Sequence, residues 1–380
     1  MKKGLLFLHI FLISCSSFHL NSRIFRKEFV IKRRWVRSTF SKEYYKYRLP
    51  HHMKPILFKD LVIQGNAFDG ISAFYKKTGN LKWRFQVKGV EQGAVLDKGV
   101  LYFGANDGQF YALNALNGYI IWSHPILYEG LGRPVVDEKN VYFITGQDVA
   151  YALNKKTGSK VWTYRPQNTL SNLSVRGTAQ PLLHEDFIYL GFRDGTLVAL
   201  NKNNRKVLWI KTLNFNNRFK DIDAQPVYDR GRLFVTGYDS YTYCLNAKTG
   251  SVIWKVSLGG VYPLTIDGER LYLSTTDHQI VSLDKNSGKI LWTKKTRGLA
   301  SKPVILRQTL VFGESEGNLV FMDKNEGHMM ASFNPGRGVL SEITADGNHI
   351  YFISADANLF ALKAEWKKEG YKWPWEKIVF

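Results

Sequence analysis

Apolar and polar residues recur along this chain in a unit of nearly constant length. Each unit opens at a proline and closes at a tryptophan, and between them short runs of Val, Leu, Tyr and Phe are separated by Gly, Asn and Asp. Runs this short with turn residues between them are typical of β-strands, and four runs per unit predict a four-stranded antiparallel meander. The pairs are Pro55 and Trp83, Pro134 and Trp162, Pro181 and Trp209, and Pro226 and Trp254, each 28 positions apart, with Pro263 and Trp292 at 29.

The turn residues support this division into strands. Glycine adopts a positive φ without strain, which tight hairpins need. Proline has no N–H to donate to a sheet, so we expect it at the first residue of each first strand. Asp-Gly pairs at 69–70, 107–108 and 194–195 mark the second turn, and Thr-Gly pairs at 78–79, 157–158 and 249–250 mark the third.

A four-stranded unit of about 40 residues that repeats along the chain predicts a β-propeller. We expect each tryptophan to wedge between neighbouring blades, because a buried Trp side chain covers roughly 150–250 Å². One third-strand residue per unit counts the blades and predicts eight of them. The series is Phe74, Leu113, Leu153, Leu200, Leu245, Leu283, Met322 and Leu362.

The last two units are incomplete, so the ring needs another strand to close. Ala331 stands where the seventh unit should carry its tryptophan, and the eighth unit ends before its fourth strand. We expect the N-terminal run FVIKRRWVRSTF, with Trp35, to supply that strand; the C-terminal WPWEKIVF is the other candidate, but Pro374 interrupts it. The predicted fold is therefore all-β, an eight-bladed β-propeller of four-stranded antiparallel blades over residues 31–366, closed by an N-terminal strand.

The N-terminus has the features of an export signal. Two lysines precede an apolar run, Leu5 to Ile13, that is too short to span a bilayer. The run ends in Leu-Ile-Ser-Cys, which resembles a bacterial lipobox and implies a signal peptide over 1–14, lipid on Cys15 and a tether over 15–30. A plain signal peptide with an incidental cysteine is the alternative. Ser after this cysteine resembles the pattern of enterobacterial lipoproteins that are anchored in the outer membrane and face the periplasm.

The formal net charge of +21 is concentrated early in the chain. Between Arg23 and Lys54 there are eleven basic residues against only Glu28 and Glu43. Beside a lipid anchor, we expect such a stretch to be attracted to anionic headgroups; a merely solvated tether is the other interpretation. We expect no nucleic-acid partner, because an exported chain seldom meets one. The extension over 367–380 has no functional assignment.

Two connections between blades are longer than the rest. The next proline follows Trp162 after 19 positions and Trp209 after 17, whereas other connections take 9 to 12. Because these two connections follow consecutive blades, we expect them side by side on one face. Apolar residues beside fixed charges on a rigid scaffold predict a protein-binding patch there. Its residues are Leu173, Val175 and Arg176 in the first connection and Asp221 and Asp223 in the second.

The charged residues of these connections also have a purely internal interpretation. Arg176 could pair with Asp221 or Asp223 and only pin the two loops to each other. The two roles are compatible, because an arginine that orders a loop can also present its free donors to a partner.

The lipobox, the eight repeats and the phrases LSVRG (173–177) and DIDAQP (221–226) together resemble the propeller lipoproteins of the outer-membrane β-barrel assembly machinery, the BamB family. This resemblance implies a non-catalytic scaffold in the assembly and insertion of outer-membrane β-barrel proteins. It also implies that the five residues of the predicted patch contact a periplasmic domain of the central barrel subunit. The chain differs from the family pattern in its strong basicity, its Arg/Lys-rich N-terminal arm and its C-terminal extension.

The repeats also resemble those of quinoprotein dehydrogenases, which hold pyrroloquinoline quinone (PQQ) and calcium, so a periplasmic oxidoreductase is the alternative function. That resemblance implies two adjacent cysteines, but this chain has only Cys15 and Cys244. We expect Cys244 to be a buried thiol, because it occupies a small-residue position of the repeat. The aspartates of the Asp-Gly pairs are expected to be tied to their turns, and His51-His52 lacks a nearby third ligand. We therefore predict no enzyme activity, no cofactor and no metal site.

Overall fold

The computed structural model describes residues 27–41, 51–130, 132–166, 180–213, 221–222, 224–238 and 241–368. Every regular element in these ranges is a β-strand, and 32 strands form eight four-stranded sheets. The predicted eight-bladed β-propeller is therefore confirmed. The same ranges contain no helix that is long and apolar enough to cross a membrane. The described residues between 30 and 365 belong to one compact unit.

Each of the first seven blades is an antiparallel meander of four consecutive strands. Blade 1 is β2 (Ile56–Phe58), β3 (Leu61–Asn66), β4 (Gly70–Tyr75) and β5 (Leu81–Phe85); blade 2 is β6 (Val95–Asp97), β7 (Val100–Gly104), β8 (Gln109–Asn114) and β9 (Ile120–Pro125). Blade 3 is β10 (Val135–Val136), β11 (Asn140–Ile144), β12 (Ala150–Asn154) and β13 (Lys160–Tyr164); blade 4 is β14 (Leu182–His184), β15 (Phe187–Gly191), β16 (Thr196–Asn201) and β17 (Val207–Thr212).

The following blades repeat the pattern. Blade 5 is β18 (Val227–Asp229), β19 (Arg232–Thr236), β20 (Thr242–Asn246) and β21 (Val252–Val256); blade 6 is β22 (Thr265–Asp267), β23 (Arg270–Thr275), β24 (Gln279–Asp284) and β25 (Ile290–Lys295). Blade 7 is β26 (Val304–Leu306), β27 (Thr309–Gly313), β28 (Leu319–Asp323) and β29 (Met329–Phe333).

Blade 8 is completed from both ends of the chain. Its first three strands are β30 (Thr344–Asp346), β31 (His349–Ile353) and β32 (Asn358–Lys368), and its fourth is the N-terminal β1 (Lys27–Ser38), hydrogen-bonded to β32. Trp35 on β1 is buried, and its Nε1 donates to the Lys76 carbonyl of blade 1 at 2.8 Å. The predicted N-terminal closure is confirmed.

The core lies between neighbouring sheets, where the repeat places its apolar residues. All eight residues of the third-strand series are buried, as predicted. Between blades 2 and 3, for example, the rings of Phe110 and Phe143 stack at 4.0 Å beside the buried Trp122. Trp122 Nε1 donates to the Lys155 carbonyl of the next blade at 3.0 Å, which confirms that the tryptophans wedge between blades. Cys244 is a buried free thiol, and burial raises its pKa to about 11.

One detail of the predicted strands needs correction. The prolines lie just ahead of the first strands and not on their first residue: Pro55 precedes β2 by one residue, and Pro263 precedes β22 by two. The physical reason is that proline has no N–H, so it cannot donate a hydrogen bond to the neighbouring strand. Each proline therefore fixes the approach of the chain to the innermost strand.

Candidate functional site

The segments that join one blade to the next lie on one face of the propeller, together with the second turn of each blade. In blade 2, Asn106 N–H donates to the Lys88 carbonyl at 2.8 Å, and the Ala105 carbonyl accepts from Gly130 N–H at 3.3 Å. Gly146 N–H of blade 3 then donates to the Glu129 carbonyl at 3.0 Å. These bonds continue from blade to blade, and we call this surface the connection face. The first and third turns lie on the opposite face.

The two long connections flank blade 4 on the connection face. Residues 167–179, 214–220 and 223 lie outside the described residues, and with them Leu173, Val175, Arg176 and Asp223. The described ends of both connections contact the same turn of blade 4: the Tyr164 ring lies 6.0 Å from the Phe192 ring, and Ile222 N–H donates to the Phe192 carbonyl at 3.3 Å. The ends of the two loops are therefore neighbours, as the sequence predicts.

Asp221 is the one member of the predicted patch that the structure describes. Its side chain is fully buried, with an exposed fraction of 0%. The Asp221 carbonyl accepts from Tyr238 N–H at 3.2 Å. A buried carboxylate at the end of a loop fixes the path of that loop.

A charged pair that the sequence did not reveal links the second turns of blades 3 and 4. Arg193 Nε lies 3.1 Å from Asp148 Oδ2, and Arg193 Nη2 donates to Gln147 Oε1 at 3.2 Å. Asp148 is only 5% exposed and has a positive φ of 61°. Burial raises the pKa of Asp148, while the nearby Arg193 lowers it. The pair stiffens the part of the connection face from which the first long loop begins.

A second feature of this face is an apolar protrusion between blades 2 and 3. Leu127 and Tyr128 are 65% and 50% exposed, although both are large apolar side chains. Tyr128 has a φ of 76°, and the segment is held by Leu127 N–H donating to Tyr151 Oη at 3.1 Å. A strained backbone that holds an aromatic residue in solvent is typical of a binding surface. This connection is of ordinary length, so its length did not single it out as a binding surface.

The candidate metal ligands already accept hydrogen bonds from protein groups. Asp69 Oδ1 accepts from Asn66 Nδ2 at 2.6 Å, and Asp107 Oδ1 accepts from Gln109 N–H at 3.0 Å, so these aspartates are tied to their turns as predicted. His51 Nδ1 accepts from Ala67 N–H at 3.3 Å, and burial lowers the pKa of His51 to about 4. Within the described ranges, no group of three or more His, Cys, Asp or Glu residues is placed to hold a metal ion.

Comparison of the sequence with known proteins shows the family to which the chain belongs. Residues 67–294 and 222–332 match the family model described as outer membrane protein assembly factor BamB. The chain belongs to the BamB family. It is 28% identical to the outer membrane protein assembly factor BamB of Shewanella oneidensis over 314 residues, 78% of this chain and 79% of that protein. With BamB of Escherichia coli K12 it shares 29% identity over 279 residues, 71% of each chain.

Solved structures agree on the fold. BamB from Moraxella catarrhalis superposes with a TM-score of 0.74 at 22% identity, covering 88% of this chain and 100% of that one. A quinohemoprotein alcohol dehydrogenase from Comamonas testosteroni gives a TM-score of 0.71 at 12% identity, covering 88% of this chain and 76% of that one. At these identities the likeness concerns the propeller alone. The BamB family match therefore rests on sequence, over the part of the ring from the second turn of blade 1 to blade 7.

Proposed function

We propose that this chain is an outer-membrane lipoprotein that acts as a non-catalytic protein-binding scaffold in the assembly and insertion of β-barrel outer-membrane proteins. The observation that carries the proposal is the family match over residues 67–332, whose relatives are named outer membrane protein assembly factors. The closed ring supports it, because the described ends of its two long connections meet at one turn of blade 4 on the connection face. Binding residues commonly lie on loops held by a rigid scaffold.

The partner in this proposal is a periplasmic domain of the central barrel subunit of the assembly machinery. Leu173 and Val175 provide apolar contacts, and Arg176 presents a planar fork of donors to carboxylate or backbone oxygens of the partner. In this proposal Asp223 contributes to the same patch, and the buried Asp221 orders the second long connection. Leu127 and Tyr128 extend the surface by one blade, since they protrude from the same face.

The test compares capture of the barrel subunit with thermal stability. Arg176→Ala should abolish co-purification of that subunit while the melting temperature stays near that of the wild type, because losing a charged partner at an interface costs roughly 2–5 kcal/mol. Arg230→Ala is the matched control, since Arg230 is 82% exposed on the opposite face. Asp221→Ala should instead lower the melting temperature. If capture survives Arg176→Ala, these loops are not the binding site.

Membrane attachment through Cys15 is a separate part of the proposal. Mass spectrometry of the mature N-terminus should show acyl chains on Cys15, and Cys15→Ala should release a soluble periplasmic protein. Cleavage elsewhere with an unmodified Cys15 would contradict it. Density fractionation of envelopes then distinguishes the outer membrane from the inner one.

The absence of catalysis is tested against the dehydrogenase alternative. Those enzymes share this fold, but this chain has no pair of adjacent cysteines, since its two cysteines stand at 15 and 244. Purified protein incubated with PQQ and calcium should neither retain the quinone after gel filtration nor oxidise alcohols or sugars with an artificial acceptor. Stoichiometric, calcium-dependent retention of the quinone would favour the dehydrogenase instead.

A further inference from the structure

The innermost strands surround a central channel, and the residues that enter these strands form its mouth on the connection face. First strands of neighbouring blades contact one another, as β6, β10, β14 and β18 do in series. Burial alternates along the chain where it enters the first strands of blades 1, 3 and 7. The proline and the residue two positions before it are buried, whereas the residue just before the proline is half-buried. That residue is the one whose side chain faces the channel, because successive side chains of an extended chain point to opposite sides.

Three of these channel-facing residues are cations. They are Lys54 before Pro55, Arg133 before Pro134 and Lys302 before Pro303, and the equivalent position of blade 8 is the buried Glu342. Three positive charges and one negative charge leave the mouth with a net positive charge of two. Among the described residues, none of these four side chains has a salt-bridge or hydrogen-bond partner.

Tyr262 and His52 add two uncharged polar side chains to the mouth. Tyr262 Oη donates to the Leu340 carbonyl at 3.1 Å and lies 3.1 Å from His52 Nδ1. Tyr262 enters blade 6, whereas Leu340 and His52 enter blades 8 and 1. Blade 6 is a neighbour of neither, so the phenol reaches into the channel. Burial lowers the pKa of His52 to about 4, so this imidazole adds no charge near neutral pH.

Unpaired cations of like sign in a half-buried site repel one another. Burial lowers the pKa of Lys54; Glu342 opposes this, and Arg133 and Lys302 lower that pKa further. An anion between the three cations removes this repulsion and supplies the hydrogen-bond acceptors they lack. We propose that the channel mouth binds a small anion with two or more negative charges, of the polycarboxylate or pyrophosphate class, held by Lys54, Arg133 and Lys302.

The test is isothermal titration calorimetry of the purified chain with citrate and, separately, with pyrophosphate at constant ionic strength. We expect one binding site for at least one of the two anions. The anion with the lower dissociation constant shows whether the site prefers a polycarboxylate or a pyrophosphate. Lys54→Met and Lys302→Met should each raise the dissociation constant about tenfold, as for loss of a charge-assisted hydrogen bond. Glu342→Gln should lower the constant, because it removes the repulsive carboxylate.

Two controls separate the site from general electrostatics and from misfolding. Lys248→Met, at an exposed third turn on the opposite face, should leave the dissociation constant unchanged. Without anion, Lys54→Met should melt at or above the wild-type temperature, because it relieves like-charge repulsion. The proposal is overturned if neither anion binds at millimolar concentration, if Lys248→Met weakens binding as much as Lys54→Met, or if Glu342→Gln weakens it.

Discussion

At the scale of single residues, the ring depends on how the tryptophan of one blade meets the third turn of the next. Gly158 has a φ of +73°, and an added Cβ would lie 2.5 Å from Cε3 of the Trp122 ring. The sequence predicts both residues, because the Thr-Gly turn and the tryptophan recur in the repeat. It does not predict that the two residues touch. The repeat shows which positions of different units are equivalent, but it does not show which residues of neighbouring units are in contact.

Gly158→Ala should therefore destabilise the fold in two ways. The positive φ costs an L-residue roughly 1–2 kcal/mol, and the overlap with Trp122 adds about 1–3 kcal/mol. Gly268→Ala isolates the first contribution, since Gly268 has a φ of +59° with nothing within 4 Å of an added Cβ. Urea denaturation should show a larger loss of unfolding free energy for Gly158→Ala. Equal losses would mean that the ring does not pack against this glycine.

At the scale of elements, neighbouring blades are joined by lysine–aspartate pairs that we did not predict. At five junctions a lysine opening a third turn binds an aspartate at, or directly after, the end of the first strand of the preceding blade. The pairs are Lys76–Asp346 at 3.1 Å, Lys155–Asp97 at 2.8 Å, Lys202–Asp137 at 3.0 Å, Lys285–Asp229 at 2.9 Å and Lys324–Asp267 at 2.6 Å. At the other three junctions, an alanine takes the place of the lysine and an uncharged residue takes the place of the aspartate. These pairs of positions are Ala115 and Phe58, Ala247 and His184, and Ala364 and Leu306. Charge is thus present on both sides of a junction or absent from both.

This pairing gives a prediction for the junction of blades 2 and 3. Lys155 is 9% exposed and also donates to the Asp137 carbonyl at 2.7 Å, so Lys155→Ala should cost about 1–3 kcal/mol of unfolding free energy. Adding Asp97→Ala should cost little more, because the partner charge is removed as well. Lys98→Ala should be nearly neutral, since the Lys98–Glu138 pair is 72% and 87% exposed. Additive losses in the double variant would contradict a direct pair.

Element by element, the sequence predicted the strands well and the loops less well. Strands are specified by alternation and by turn glycines, which a repeat displays many times. The burial of Asp221 was not predictable, because a polar residue in a connection is ordinarily at the surface and its environment is set by blade 5. The exposure of Leu127 and Tyr128 was not predictable either, because their connection has an ordinary length. Their exposure follows from the positive φ of Tyr128, which the identity of the residue does not predict.

At the scale of the whole molecule, the N-terminal strand makes the ring a closed object. β1 supplies the fourth strand of blade 8, and Trp35 meets Gly79 of blade 1 as the other tryptophans meet their turns. The same closure explains why blade 7 has Ala331 in place of tryptophan. β32 does not turn back into a fourth strand of its own, so blade 8 offers no third turn on which a ring could pack.

Deleting residues 30–40 should therefore lower the free energy of unfolding by several kcal/mol, as for truncating a buried aromatic residue and opening an edge. Deleting 367–380, which removes the extension, should matter far less. Urea denaturation of both truncated proteins gives the ranking. The reverse ranking would assign ring closure to the C-terminal extension.

As a whole molecule, we propose, this propeller serves protein assembly in the envelope. Affinity purification of the wild-type chain from gently solubilised envelopes, with quantitative mass spectrometry of the eluate, tests it most directly. We expect a scaffold to co-enrich the central barrel subunit in near-stoichiometric amount, and we expect Arg176→Ala, but not Arg230→Ala, to lose that subunit. Enrichment without the barrel subunit, or with equal recovery from both variants, would contradict the account.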